Sequence, residues 1–155
     1  MKEIELVNGR GIALVDDEDY EMLSQYRWYL QPTRCGNYAQ AVLWNPRRSI
    51  AMHRMIMGTP MGRDVDHINH NGLDNQRCNL RECSHQENCA NHRKLTPGSS
   101  KYKGVSWDGR KWQAYGKMNY RKVHLGRFGS EDAAAKAYNT WATEHFGGFA
   151  LLNEI

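Results

Sequence analysis

Residues 65–92, with the sequence VDHINHNGLDNQRCNLRECSHQENCANH, constrain the fold of this chain more than any other segment. Val65–Ile68 and Asn79–Cys83 have the apolar character of short strands, and a polar loop with a central glycine separates them. Ser84–Glu87 has the spacing of a capping box, which predicts a helix over His85–Arg93. The segment therefore predicts a strand–loop–strand–helix unit.

The same segment concentrates groups that can hold one hard metal ion and activate one water molecule. His67 has an ordinary pKa of about 6.5, so its neutral imidazole can take a proton from water near neutral pH. Carboxylate and amide oxygens suit magnesium or manganese better than zinc. Taken alone, the adjacent Asp66 and His67 also fit a packed, hydrogen-bonded pair, so the spacing of the whole segment decides between the two interpretations.

Asp66-His67, Asn79-Leu80-Arg81 and Asn88 together resemble the motif of the HNH endonucleases. The likeness is to the phage and intron-encoded homing branch, in which the last His is replaced by Asn, and it includes His53-Arg54, so that it covers about residues 50–92. The resemblance implies a ββα-metal nuclease unit, with His67 as general base and Asn79 as the group that orients its ring. It also implies that Asp66 and Asn88 hold a divalent metal ion, magnesium or manganese, at the scissile phosphate.

Other polar groups of this half have supporting roles in this interpretation. His53 and Arg54 would support the site or touch DNA, whereas Asn91 and His92 would face DNA or solvent. The cysteines form no C-x-x-C pair, which disfavours a zinc-stabilised module and favours reduced thiols.

The segment before the motif predicts a small β-rich unit. Asp16 is expected to cap a helix over Asp17–Gln25. Ser49–Met57 fits either a strand or a short helix. Two strand pairs are predicted, each around a glycine-containing turn: Glu3–Val7 with Gly11–Val15, and Arg27–Gln31 with Tyr38–Trp44.

A Pro-Gly turn within Leu95–Ser100 predicts a boundary between a nuclease domain over residues 1–95, with its motif core at 64–93, and a second domain over residues 96–155. Charge differs between the halves. Residues 1–94 carry 12 Lys and Arg against 12 Asp and Glu, so the rest of the chain supplies the whole net charge of +4. Between Lys101 and Arg127 there are 8 basic residues and one acid, Asp108, with Trp and Tyr among them. This pattern suggests a polyanionic partner, although the charge alone fits a solvated basic face equally well.

The second half predicts a three-stranded antiparallel sheet packed on one helix. The strands are expected at Tyr102–Ser106, Trp112–Met118 and Val123–Phe128. Ser130 is expected to cap a helix from Glu131 to about His145 that ends at a pair of glycines. An apolar stripe of this helix would pack on the sheet: Ala133, Ala134, Ala137, Tyr138 and Trp141.

This half resembles the DNA-binding domain of plant APETALA and ethylene-response-factor proteins over about residues 101–154. The matching pieces are Tyr102–Val105, Lys111-Trp112, Leu125–Phe128, Ala133–Tyr138 and Leu152-Asn153. The resemblance implies that the sheet lies in the major groove of DNA and that seven side chains face it: Lys103, Trp107, Arg110, Trp112, Tyr115, Lys117 and Arg121. Core packing remains the alternative for Trp112, and simple solvation for the two lysines.

The chain is thus expected to be an α+β protein and a metal-dependent DNA endonuclease of the HNH homing type. Its partner would be double-stranded DNA, with a monomer favoured and a cytoplasmic location on DNA. The sequence contains no run of about 18 apolar residues, so it predicts no membrane span. The first residues lack the apolar core of a secretion signal. The rival interpretation is a non-catalytic, sequence-specific DNA-binding regulator with a degenerate nuclease unit.

Overall fold

The computed structural model describes residues 1–94 and 98–155, so part of the predicted boundary segment, residues 95–97, lies outside the described residues. The chain divides into two compact units, Met1–Ser84 and His85–Ile155. Each combines small antiparallel sheets with helices, in keeping with the predicted α+β class. Among the described residues, no helix is long and apolar enough to cross a membrane.

The first unit contains seven strands and two helices within its described residues. They are β1 Lys2–Glu5, β2 Ile12–Val15, α1 Asp17–Ser24, β3 Trp28–Thr33, β4 Gly36–Trp44, β5 Arg47–Ala51, α2 Met52–Met57, β6 Asp64–His67 and β7 Leu80–Cys83. The strands pair as β1–β2, β3–β4–β5 and β6–β7, all antiparallel. Trp28, Leu6, Leu23 and Met52 are the largest apolar side chains in its core.

The prediction that Asp16 caps α1 is wrong, because its side chain makes no capping hydrogen bond. Its carboxylate instead accepts a hydrogen bond from the backbone N–H of Arg77 at 2.7 Å and one from the Gln76 side chain at 3.5 Å. The Arg77 guanidinium in turn pairs with Asp19 at 2.7 Å. The start of α1 therefore anchors the segment that leads into β7.

The ambiguous segment Ser49–Met57 contains both predicted elements, the end of β5 and the whole of α2. Gly58 follows α2 in the left-handed conformation, with φ of 57°, which only glycine adopts without strain.

The second unit contains α3 His85–Asn91, β8 Val105–Trp107, β9 Trp112–Met118, β10 Arg121–Phe128 and α4 Glu131–Phe146. The sheet order is β10–β9–β8 and antiparallel, as predicted. The predicted cap is confirmed, since Ser130 Oγ accepts a hydrogen bond from the Ala133 N–H at 3.2 Å. The first strand is shorter than predicted because Ser100–Gly104 is tied to α4, with Ser100 Oγ donating to Glu131 at 2.6 Å.

Helix α4 packs on the sheet through small residues, since Ala134 and Ala135 are fully buried against Ala114 and Val105. Helix α3 packs against α4 and the chain that follows it. The Ala90 carbonyl at its end accepts hydrogen bonds from the Leu151 N–H at 3.1 Å and from Lys103 Nζ at 2.6 Å. Helix α3 starts at His85 as predicted and belongs to this second unit.

Candidate active site and nucleic-acid interface

Strand β6 carries the predicted acid and base side by side. Asp66 pairs in register with Arg81 of β7, and His67 pairs with Leu80. Both side chains are buried, at 5% exposure each. The Arg81 guanidinium contacts one carboxylate oxygen of Asp66, Oδ2, through Nε at 2.9 Å and Nη2 at 2.7 Å. Cross-strand pairing therefore fixes the Asp66 carboxylate in place next to the imidazole.

The side chain of Asn79 organises the loop between β6 and β7. Its Oδ1 accepts a hydrogen bond from the Asn69 N–H at 3.0 Å, and its Nδ2 donates to the Asp74 carbonyl at 2.8 Å. These contacts hold the loop that follows His67. The expected role of Asn79 in orienting the ring of His67 stays a prediction.

The residue that faces the His67 ring is Asn75. It is 0% exposed, and its Oδ1 lies 3.3 Å from His67 Nε2. Its backbone N–H donates to the Leu14 carbonyl at 2.8 Å, which ties the loop to the edge of β2. Sequence reasoning missed Asn75 because it is one of several asparagines in the loop, and only its burial distinguishes it.

Three aromatic rings meet at the base. The His53 ring lies 5.0 Å from that of His67, and the Tyr38 ring lies 5.7 Å from each. Sequence reasoning placed His53 near the site and missed Tyr38, whose position depends on the loop. A methyl group at Gly72 would overlap the Asn37 carbonyl and the Tyr38 ring, so the loop packs directly on β4.

Burial controls the ionisation of this cluster. It lowers the pKa of His67 below 6.5, although the Asn75 hydrogen bond and the Asp66 charge act in the opposite direction. Burial, followed by the charges of His67 and Arg54, lowers the pKa of His53 to about 3. Its Nδ1 is buried and, among the described residues, has no hydrogen-bond partner. The imidazole of His67 is thus neutral near neutral pH, as a proton acceptor requires.

The oxygen donors at this site suit a hard cation. Asp66 supplies a carboxylate, and Asn88 lies on α3 in the second unit. The part of the chain that the structure describes has no group of three or more His, Cys, Asp or Glu that could hold a metal ion. Magnesium is commonly bound through one or two carboxylates, with water and substrate phosphate completing the shell, so a single carboxylate such as Asp66 fits this ion.

The other supporting candidates have structural contacts. The Arg54 guanidinium donates to the carbonyls of Arg63 at 2.8 Å and Pro60 at 3.2 Å, which shapes the connection from α2 to β6. Asn91 is buried at the end of α3, and the His92 carbonyl accepts a hydrogen bond from Lys103 Nζ at 2.7 Å.

The second unit has an open sheet face opposite α4. Ala114 and Gly116 of β9 are buried on the helix side, so the alternate positions of the strand face away from it. The register places two predicted residues there, Tyr115 and Lys117, with four that sequence reasoning missed: Gln113, Lys122, His124 and Arg127. Lys122 Nζ lies 3.9 Å from the Tyr115 ring centre. Alternation along the strands could have identified Gln113, Lys122 and His124, but not Arg127, because a register shift follows His124 in β10.

The remaining predicted contacts lie elsewhere in this unit. Trp112 packs against its apolar core and lies 5.1 Å from the Trp107 ring. Lys103 Nζ is directed at the carbonyls that end α3, and burial lowers its pKa to about 8. Arg110 and Arg121 are exposed in and beside the two hairpin turns.

Comparison with known proteins gives a likeness over nearly the whole chain. The chain is 33% identical over 158 residues to a protein of Acanthamoeba polyphaga mimivirus named as an uncharacterized HNH endonuclease, and the likeness covers 97% of this chain and 79% of that protein. The chain therefore belongs to the HNH endonuclease family. No family model matches it. No solved structure matches it either.

A second likeness is confined to one part of the chain. It is 34% identical over 55 residues to an AP2-like ethylene-responsive transcription factor of Arabidopsis thaliana, which is 36% of this chain and 16% of that protein.

Proposed function

We propose that this protein is a metal-dependent DNA endonuclease that hydrolyses phosphodiester bonds. The observation that carries the proposal is the buried pair on β6, in which the Asp66 carboxylate is held by Arg81 and the His67 ring is held by Asn75. Membership of the HNH endonuclease family supports the same chemistry.

His67 acts as the general base in this proposal. If its Nε2 carries the proton and donates to Asn75 Oδ1, its Nδ1 is the basic nitrogen that takes a proton from the attacking water. The Asn75 amide also donates to the Gly72 carbonyl at 3.5 Å, which orients its oxygen toward the ring. The sequence therefore predetermines one tautomer of the base before substrate binds.

Asp66 and Asn88 remain the proposed metal ligands. When bound there, a magnesium or manganese ion would supply Lewis-acid stabilisation to the scissile phosphate and the leaving oxygen. Asp66 gives the charged oxygen, and Arg81 keeps that carboxylate in one orientation.

The second unit is proposed to hold the DNA. Its open sheet face presents Tyr115 and Lys117 with Lys122 and Arg127, a basic and aromatic surface suited to phosphate and base contacts. Its likeness to a plant transcription factor supports duplex DNA as the partner. Ser106 and Gly116 depart from the pattern of the plant DNA-binding domain, so the base preference of that domain is not carried over to this chain.

The experiment that tests this function is incubation of the full chain with supercoiled plasmid across a range of magnesium concentrations. Nicked or linear products should require the metal. Asp66→Asn should lose this activity because the charged ligand is gone, whereas Asn88→Ala should be milder because water can replace a neutral ligand. Glu82→Gln, which changes an exposed acid on β7, is the matched control and should cut normally. A protein that binds plasmid but never cuts it would favour the rival, a DNA-binding regulator.

A further inference from the structure

The three-stranded sheet of the first unit has one face that the core does not cover. Along β4, Ala39 and Ala41 point into the core, while Val42 and Trp44 at the alternate positions are exposed. Tyr29 of β3 shares this open face, since it lies opposite Gln40 in the register. The exposed side chains are therefore large and apolar on a sheet that carries charge at both ends.

That charge is of one sign. Residues 22–63 contain six arginines and no Asp or Glu, so the neutral total of this half conceals a basic segment between two acidic ones. Arg54 and Arg63 are used in internal contacts. The other four are exposed at the ends of the strands, and among the described residues none of them has an acidic partner: Arg27, Arg34, Arg47 and Arg48.

Trp44 and Arg47 form the tip of this surface. They lie opposite each other in the register of β4 and β5, and the guanidinium sits 5.3 Å from the centre of the indole ring. Trp44 is 76% exposed, which is unusual for the largest apolar side chain. An exposed indole beside a guanidinium can stack on bases or sugars while the cation contacts phosphate.

The same face leads to the candidate active site. Tyr38 has the same alternation as Trp44 along β4, and its ring lies 5.7 Å from the His67 ring. The two residues are separated by six positions, which is about 20 Å at the usual rise of a strand. A duplex lying along the face would therefore reach from His67 to Trp44 over about six base pairs.

We propose that this face of β3–β5 binds duplex DNA on one side of the cleaved phosphate, with Trp44 stacked on a base or sugar and Arg47 on a phosphate. The proposal rests on the proposed nuclease function and adds a second DNA surface, on the unit that carries His67. Duplex DNA is the occupant that the charge favours, because a second copy of the chain would bring the same arginines into contact with themselves.

The test measures binding of the full chain to a short mixed-sequence duplex at several salt concentrations, with His67→Ala present throughout to prevent cutting. Replacing Arg47 by Ala should lower the slope of log affinity against log salt by about 0.9, because one phosphate contact is lost. Lysine at this position should restore the slope. Trp44→Ala should weaken binding about tenfold with the slope unchanged, and Trp44→Phe should retain most of the affinity.

Matched controls come from exposed residues outside this surface. Arg10→Ala removes an exposed arginine near β2, and Met61→Ala removes an apolar side chain that is 98% exposed. Neither should change affinity. The proposal is overturned if Arg47→Ala behaves as Arg10→Ala does, or if Trp44→Ala behaves as Met61→Ala does. It is also overturned if the wild type sediments as a dimer that Trp44→Ala dissociates, because the occupant would then be a second copy.

Plasmid cleavage by the unmodified chain separates this proposal from the proposed function. If the unmodified chain cleaves plasmid and Arg47→Ala leaves the salt slope unchanged, only the proposal of a DNA-binding face on β3–β5 is refuted. If Arg47→Ala lowers the slope but the unmodified chain never cuts DNA, only the proposed nuclease function is refuted.

Discussion

At the scale of single residues, the candidate base depends on neighbours both inside and outside the motif. Asn75 and Tyr38, which lie outside it, and His53 lie beside the ring of His67. Asn79 holds the loop that follows His67. The sequence points to Asp66 and His67 through their resemblance to the HNH motif. It does not identify Asn75, because choosing among the loop asparagines requires knowing that Leu14 binds this one and buries it.

Asn75→Ala should lower the cleavage rate about 10- to 100-fold, because losing a residue that positions a catalytic group costs about that much. DNA affinity should stay the same, since the residue is buried. Asn71→Ala, at an exposed position of the same loop, is the control. Single-turnover rates and binding of both variants check this, and equal rates for the two would place the orienting contact elsewhere.

The buried His53 should make the protein sensitive to acid. Its pKa is about 3 in the folded chain and about 6.5 when unfolded, so only the unfolded chain takes up this proton between those values. The contribution of His53 to the free energy of unfolding is fully present above about pH 6.5 and is lost as the pH falls toward 3. His53→Phe should remove that loss, at most about 1.4 kcal/mol per pH unit.

Urea unfolding of the wild type and His53→Phe from pH 8 to pH 4 measures this difference, because acidic groups shared by both proteins cancel. The advantage of the wild type should be largest at pH 8 and should shrink below pH 6.5. Parallel curves across the whole range would mean that His53 is accessible to water.

At the scale of elements, local signals predicted the helices and strands well. The starts of α3 and α4, the Ser130 cap and the hairpin at Asn119-Tyr120, both with positive φ, follow from short-range chemistry. Asp16 failed as a cap because its partner lies 61 residues away. A local pattern could not show that contact, nor that the indole of Trp112 packs on the core.

Gly116 lies inside a strand, where a glycine usually weakens the strand. The sequence alone does not show why this position holds a glycine. In the structure a methyl group there would overlap the Trp141 ring of α4. Gly116→Ala should therefore destabilise the second unit by about 1–3 kcal/mol through overpacking. Gly129→Ala, where nothing lies nearby, should have little effect. Thermal unfolding decides, and equal melting temperatures would show that α4 can move away from the sheet without cost.

At the scale of the whole molecule, the second unit, which is proposed to hold DNA, includes α3. Lys103 Nζ and the Leu151 N–H both bind the end of that helix. A fragment of residues 85–155 should fold and bind duplex DNA with a steep salt dependence, whereas residues 96–155 should be less stable because Lys103 loses its acceptors. Circular dichroism and anisotropy on both fragments check this. Equal stability of the two would leave α3 without a structural role there.

The central claim is that His67 is the base of a DNA-cutting reaction, and one comparison tests it most directly. Wild type and His67→Ala are each incubated with supercoiled plasmid, with and without magnesium, and binding of each to the same plasmid is measured in parallel. We predict that wild type nicks or linearises plasmid only with magnesium. His67→Ala should bind equally well and cut about 10²- to 10⁴-fold more slowly, as loss of a general base requires. Cleavage by His67→Ala at the wild-type rate would contradict the account.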